Sequence, residues 1–238
     1  MELILSLIVG TFASLLKGVT GFGFGIVAMP IMIYWYAPKE LIPVITMCNL
    51  VSSIVIVLQR KEKSEINAQF RILIITGGIF TILGIYILKV IDEKLLIQSM
   101  GIIFIIFSIL SFKKPKRQIK ISKYIYPIAG AFIGLLTGSI SVSGPALVLF
   151  LNKVKVSNLE FRKIFAWFAI TTATIAIFGY WQVDLITKQS LNMTLMFAPI
   201  LIVGSIIGKR LNGYLSQSTF KYITTVITLI ASIMLLLK

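Results

Sequence analysis

The 238-residue sequence predicts an all-α polytopic membrane protein of two inverted-topology repeats, each a glycine-broken, re-entrant or tightly crossing helical hairpin plus three transmembrane helices. Three observations lead there. The composition is 58% hydrophobic and only 13% charged, well above the roughly 45–50% apolar share of a soluble domain. Six charge-free runs have membrane length. Two longer stretches are each interrupted by glycine and closed by proline at matching places of the two halves, the sequence pointer to a binding site in carriers with internal repeats.

The six simple runs are 41–58, 72–88, 95–112, 164–183, 189–208 and 222–237, each near the ~17–25 residues with which a helix crosses a bilayer. The first long stretch, 3–36, carries Lys17 as its only charge and is broken by Gly18-Val19-Thr20-Gly21-Phe22-Gly23-Phe24-Gly25, with Pro30 beyond. The second, 124–152, is broken where Gly134 and Gly138 lead into Ser141-Val142-Ser143-Gly144-Pro145. Glu2 stands where a signal peptide would be basic, so the first segment is expected to stay in the chain.

The formal charge of +15 belongs to short links between apolar runs. No basic face is interleaved with aromatic residues, so nucleic acid is not an expected partner. Loop 113–123 has six basic residues and no acidic one, which makes it cytoplasmic by the bias of Lys and Arg toward inner loops. If both broken stretches cross once, 12 Lys and Arg fall inside and 10 outside, leaving Lys17 aside. If each returns to the face it entered, 17 fall inside and 5 outside. The second count fits the charge bias better, and it places loops 59–71, 113–123, 152–163 and 209–221 in the cytoplasm.

Length agrees with re-entry. Thirty-four residues of helix would run about 51 Å, too far for one crossing of a ~30 Å core, and two half-length helices fit better. The alternative is one long, tilted, kinked helix. Residues 1–112 then form the first membrane repeat, 113–123 a basic cytoplasmic linker and 124–238 the second repeat, together one transport domain.

Taken together, Lys17 to Gly25 with Pro30, and Gly134 to Pro145, resemble the TauE/SafE sulfite exporter family of bacterial and archaeal membrane proteins. The resemblance covers almost the whole chain as a four-segment repeat. Family members have denser glycine clusters, whereas this chain interleaves Phe22 and Phe24 in one break and has Ser141 and Ser143 in the other. It implies transport of sulfite, sulfoacetate or another small organosulfur or carboxylate anion across the inner membrane of a prokaryote.

The residues support anion binding without the family name. Glycine permits sharp turns and close approach to backbone N–H groups, and a helix starting at such a turn offers unpaired amides and a positive dipole end. Candidate substrate-binding residues are Lys17, Thr20, Gly21, Gly23, Gly25, Ser141, Ser143, Gly144 and Pro145, with Ser139 as a further hydroxyl. The glycines could equally serve close helix packing, and Lys17 could snorkel to an interface. Asn49, Ser52, Ser53, Thr171, Thr172 and Thr174 are candidates for lining the path, or for interhelical hydrogen bonds.

Gly77, Gly78 and Gly84, and the Gly204/Gly208 pair, have close-packing spacing. Trp35, Trp167, Trp181, Tyr34, Tyr36, Tyr124, Tyr126 and Tyr180 are expected in an interfacial aromatic belt.

The chain has no histidine and one cysteine, Cys48, which excludes imidazole chemistry, an intrachain disulfide and a cysteine-built metal site. Neither cofactor nor metal is expected. All eight acidic residues flank apolar runs, against a carboxylate proton relay or an acid-lined cation channel. Without a Walker loop or a nucleophile and acid/base set, ATP-driven transport and enzymatic activity are not expected. The reading is a secondary carrier for a small anion working by alternating access, in contact with membrane lipid; an anion channel and a non-transporting membrane scaffold are the alternatives, and homo-oligomerisation is open.

Overall fold

A computed structural model describes residues 2–20, 23–58, 66–112, 121–154, 156–211 and 217–237. Among these residues the chain is helical, with no strand: α1 (Glu2–Thr20), α2 (Phe24–Met32), α3 (Pro38–Leu58), α4 (Ala68–Val90), α5 (Glu93–Phe112), α6 (Ile125–Ile140), α7 (Gly144–Leu151), α8 (Asn158–Gln182), α9 (Lys188–Leu211) and α10 (Gln217–Leu236). Most of loops 59–71 and 113–123, Lys155 in loop 152–163 and part of loop 209–221 lie outside the described residues, as does Gly21.

Both glycine-marked breaks interrupt helices, and each has a local cause. Gly23 sits at φ 115° before α2, a left-handed conformation cheap only for glycine. Ser141 ends α6 at φ 54°, its N–H donating to the Thr137 carbonyl at 2.9 Å, the αL form of a helix C-terminus. Pro145 then stands in the first turn of α7, where its missing N–H costs no helical bond.

The legs around each break are unequal, which corrects the expectation of two half-length helices. α1 has 19 residues and α2 has 9, while α6 has 16 and α7 has 8. Among the described residues six helices are long and apolar enough to cross a membrane, and α1 is one of them. α10 is not, because its described apolar stretch is only Thr225–Leu236.

Helix faces explain the environment. On α4, Ile72, Ile75, Ile79, Leu83 and Tyr86 are about half exposed, an i, i+3, i+7 stripe that would be untenable in water and is ordinary against lipid. The opposite face carries Gly77, Thr81, Gly84, Ile85 and Leu88, all buried.

That face is packed on α6. The Gly77 carbonyl lies against Gly134, the Thr81 backbone against Gly138, and the Thr81 hydroxyl donates to the Gly134 carbonyl at 3.2 Å. α1 and α9 form a second seam, with Ser14 against Gly204 and Gly18 against Gly208. In both seams residue numbers rise together, so the paired helices run parallel. α3 packs on α8 and α5 on α10, while α3 also touches α9 as α4 touches α8. The chain's two halves are thereby interlocked: the first helix of each packs on the fourth helix of the other.

The ends of each hairpin also meet. Ser6, near the start of α1, donates its hydroxyl to Tyr36 Oη beyond α2 at 3.3 Å. Tyr126, near the start of α6, meets Phe150 near the end of α7 edge to face at 5.4 Å. Tyr126 and Tyr180 depart from the expected aromatic belt: both are buried, and the Tyr180 hydroxyl donates to the Gly138 carbonyl at 2.8 Å beside the second break.

Candidate functional site

Lys17 falls in the last turn of α1, on the face that carries Ala13 and Leu16 into the core. Its side chain is 2% exposed, so it does not snorkel. The ammonium donates to the Asn49 carbonyl at 3.1 Å, to Asn49 Oδ1 at 2.9 Å and to Ser53 Oγ at 3.4 Å. Its three N–H donors are matched in number, but every partner is a neutral oxygen.

Asn49 and Ser53 can serve together because they are one turn apart on α3. Ser53 Oγ donates to the Asn49 carbonyl at 2.6 Å. One turn earlier, Thr46 Oγ1 lies 2.7 Å from Ser141 Oγ, which joins α3 to the second break. The breaks themselves meet: a methyl group placed on Gly25 would stand 3.4 Å from the Ser141 carbonyl and 3.6 Å from Asn49 Nδ2.

A cavity of about 30 Å³ occupies this junction, bounded by Lys17 and Asn49, by Gly23, Gly25 and Ile26, and by Ser141, Ser143 and Gly144. That is room for about two waters or a small anion. Thr46, Thr137, Thr172 and Phe165 complete much of the wall. The helices α2 and α7 both begin at this wall, and the first N–H groups of a helix have no acceptor within it. Two positive helix ends and one ammonium thus converge, and none of the described lining residues is acidic. A larger cavity of about 500 Å³, between the end of α2 and the facing ends of α5 and α10, includes Trp35, Tyr36, Glu93 and Lys94. It touches neither break.

Of the residues singled out in the sequence, Lys17, Gly23, Gly25, Ser141, Ser143, Gly144, Asn49 and Thr172 all line the small cavity. Gly21 and the side chain of Thr20 lie outside the described residues. The others are not among its lining residues. Pro145 is buried in the first turn of α7, and the Ser52 hydroxyl donates to the Cys48 and Asn49 carbonyls at 2.9 and 3.2 Å. Thr171 is half-buried, its methyl near Gly78 of α4. Ser139 bonds back to the Leu135 carbonyl, and Thr174 is exposed.

Thr46 and Thr137 were missed. Both hydroxyls bond back to a carbonyl four residues earlier, Ile42 and Ile133, so each resembles any threonine of an apolar helix. The available signal was register: Thr46, Asn49 and Ser53 repeat at three and four residues, one polar stripe on an otherwise apolar helix.

No curated protein and no solved structure matches this chain. A family model does, over residues 6–235, a span that takes in both breaks, Lys17 and the whole of the cavity wall. The chain is a multi-pass membrane protein and belongs to the sulfite exporter TauE/SafE family.

Proposed function

We propose that the protein is a secondary transporter that exports or exchanges a small anion, sulfite or another small organosulfur or carboxylate anion, by alternating access in the inner membrane of a prokaryote. One observation carries this reading: a buried ammonium and two helix N-termini face one cavity whose described lining residues include no acidic one. An oxyanion supplies what that cavity lacks. It would accept from Lys17, from first-turn amides of α2 and α7, and from the hydroxyls of Ser141 and Ser143.

The exchanged pairings support two repeats of opposite orientation. α1 lies on α9 as α6 lies on α4, and Gly10, Ser14 and Gly18 stand in α1 where Gly130, Gly134 and Gly138 stand in α6. The contacts Ser6–Tyr36 and Tyr126–Phe150 support re-entry, because each brings the start and the end of one hairpin to the same level. On this reading the cavity lies between the repeats, where rocking of one against the other opens it to alternate sides.

Two experiments test the reading. A ligand that binds only the folded state raises its apparent stability, so sulfite, sulfonates and small carboxylates are screened for a rise in melting temperature of the purified protein; no rise with any of them would reject the anion site. Cysteine labelling in a Cys48→Ser background tests the orientation. Reaction of a cysteine at Lys153 with an impermeant reagent from the outer face would reject the re-entrant topology.

A further inference from the structure

We infer that this carrier is an obligatory exchanger of singly charged anions, one small monoanion outward for another inward, because its site holds the Lys17 ammonium, which no described acidic residue neutralises. The inference rests on the transporter reading above and narrows it.

The chain has eight acidic residues: Glu2, Glu40, Glu62, Glu65, Asp92, Glu93, Glu160 and Asp184. On α1, Glu2 precedes Lys17 by fifteen residues, about 22 Å along the axis. On α3, Glu40 precedes Asn49 by nine, about 13 Å, and on α8 Glu160 precedes Thr172 by twelve, about 18 Å. None of the described acidic residues lines the cavity, and Glu62 and Glu65 lie outside the described residues. Glu160 is engaged locally, its Oε2 accepting from the Ser157 N–H and hydroxyl at 3.0 Å.

Lys17 is therefore hydrogen-bonded but not charge-balanced, since Asn49 and Ser53 offer only dipoles. While the cavity is open to one side, water can screen the ammonium. When it closes, a volume of about 30 Å³ retains about two waters, and a lysine that keeps its proton there is a bare charge at membrane depth, the costly condition. A monoanion removes that cost, because ammonium and anion then sum to zero. A dianion replaces it with a net negative charge. While Lys17 keeps its proton, closure is thus favoured for the monoanion-loaded site over the empty one, and the carrier returns with a second anion in it.

The test uses purified protein in liposomes loaded with radiolabelled sulfite at pH 7, with protein-free liposomes as the blank. Efflux is followed into unlabelled sulfite and into a medium whose anion is dextran sulfate, too large for the cavity. Exchange predicts efflux at least about tenfold faster into sulfite, a ratio that falls toward one in Lys17→Gln and survives in Lys17→Arg. In the wild type, a valinomycin-imposed potassium potential should leave sulfite exchange unchanged, because monoanion for monoanion moves no net charge; a potential-driven acceleration would overturn the inference. Equal wild-type efflux into both media would also overturn it while leaving the transporter standing. Protein-dependent flux in neither medium would overturn the transporter reading itself, and the exchange mode with it.

Discussion

Thr46 and Ser141, 95 residues apart in the chain, share a buried hydrogen bond of 2.7 Å. It is the one described side-chain link between α3 and the residue at which α6 stops. Ser141 holds a left-handed conformation there, with φ 54°, which is uncommon outside glycine and asparagine. The bond therefore helps fix a backbone geometry that shapes the cavity.

Replacing Thr46 with valine keeps the shape and removes the hydroxyl, leaving the buried Ser141 hydroxyl without this partner. Such a loss costs about 1–3 kcal/mol. Thermal unfolding of Thr46→Val should show a lowered midpoint and weaker sulfite binding, with both restored in Thr46→Ser. An unchanged midpoint and affinity in Thr46→Val would remove the bond from any role in the site.

Lys17→Gln is expected to weaken sulfite binding by at least about tenfold, the effect of losing one charge-assisted hydrogen bond. Lys17→Arg should retain part of the affinity, since the charge persists although the fork geometry differs. Titration calorimetry of the folded variants decides the point. Equal affinity in wild type and Lys17→Gln would take the ammonium out of the anion's reach.

Two glycines should fail in different ways. Gly23→Ala forces an alanine to φ 115°, a strain on the order of 1–3 kcal/mol at the start of α2; anion affinity should fall more than stability does. Gly134→Ala puts a methyl group into the Gly77 carbonyl across the α4–α6 seam, so the melting temperature and abundance should fall while affinity per folded molecule is kept. Measuring both quantities on both variants separates a cavity glycine from a packing glycine.

The capping box at the start of α8 gives a pH dependence. Ser157 accepts from the Glu160 N–H at 3.2 Å, and its own N–H and hydroxyl hold the Glu160 carboxylate below the usual carboxylate range. A group whose folded pKa is depressed stabilises the fold above its unfolded pKa, and that contribution is lost as the pH falls through the folded value. Stability should therefore decline in acid, and Ser157→Ala, which costs about 1 kcal/mol at neutral pH, should decline less. Parallel acid curves in the two proteins would contradict this.

The parts of the site legible in the sequence are those that break a rule of apolar helices. Glycine clusters, a lysine within a charge-free stretch, and serines beside a proline are each conspicuous, and Lys17, Gly23, Gly25, Ser141 and Ser143 do line one cavity. Thr46 and Thr137 break no rule, because a threonine bonded back to its own helix is unremarkable in lipid. Ser52 and Thr171 stand out in the sequence by polarity alone, and a half-turn of rotation about α3 or α8 decides which hydroxyl faces the cavity. The unequal legs at each break were hidden for a similar reason. Charge and hydropathy mark where a segment enters and leaves the apolar region, but the stopping point of α6 depends on Ser141 taking a left-handed turn.

The interlocked seams also set the order in which the chain can mature. Gly18 of α1 has its close neighbour at Gly208 of α9, 190 residues later, a gap of roughly 10–40 s at ordinary rates of synthesis. During that interval the small-residue face of α1 has only lipid beside it, as do Gly77 and Gly84 of α4 until α6 arrives. The nascent amino-terminal half is therefore an unfinished object in the membrane, dependent on its companion for the rest of the cavity wall as much as for packing. Truncation after α5 would leave an orphan substrate for membrane proteolysis, not half a transporter.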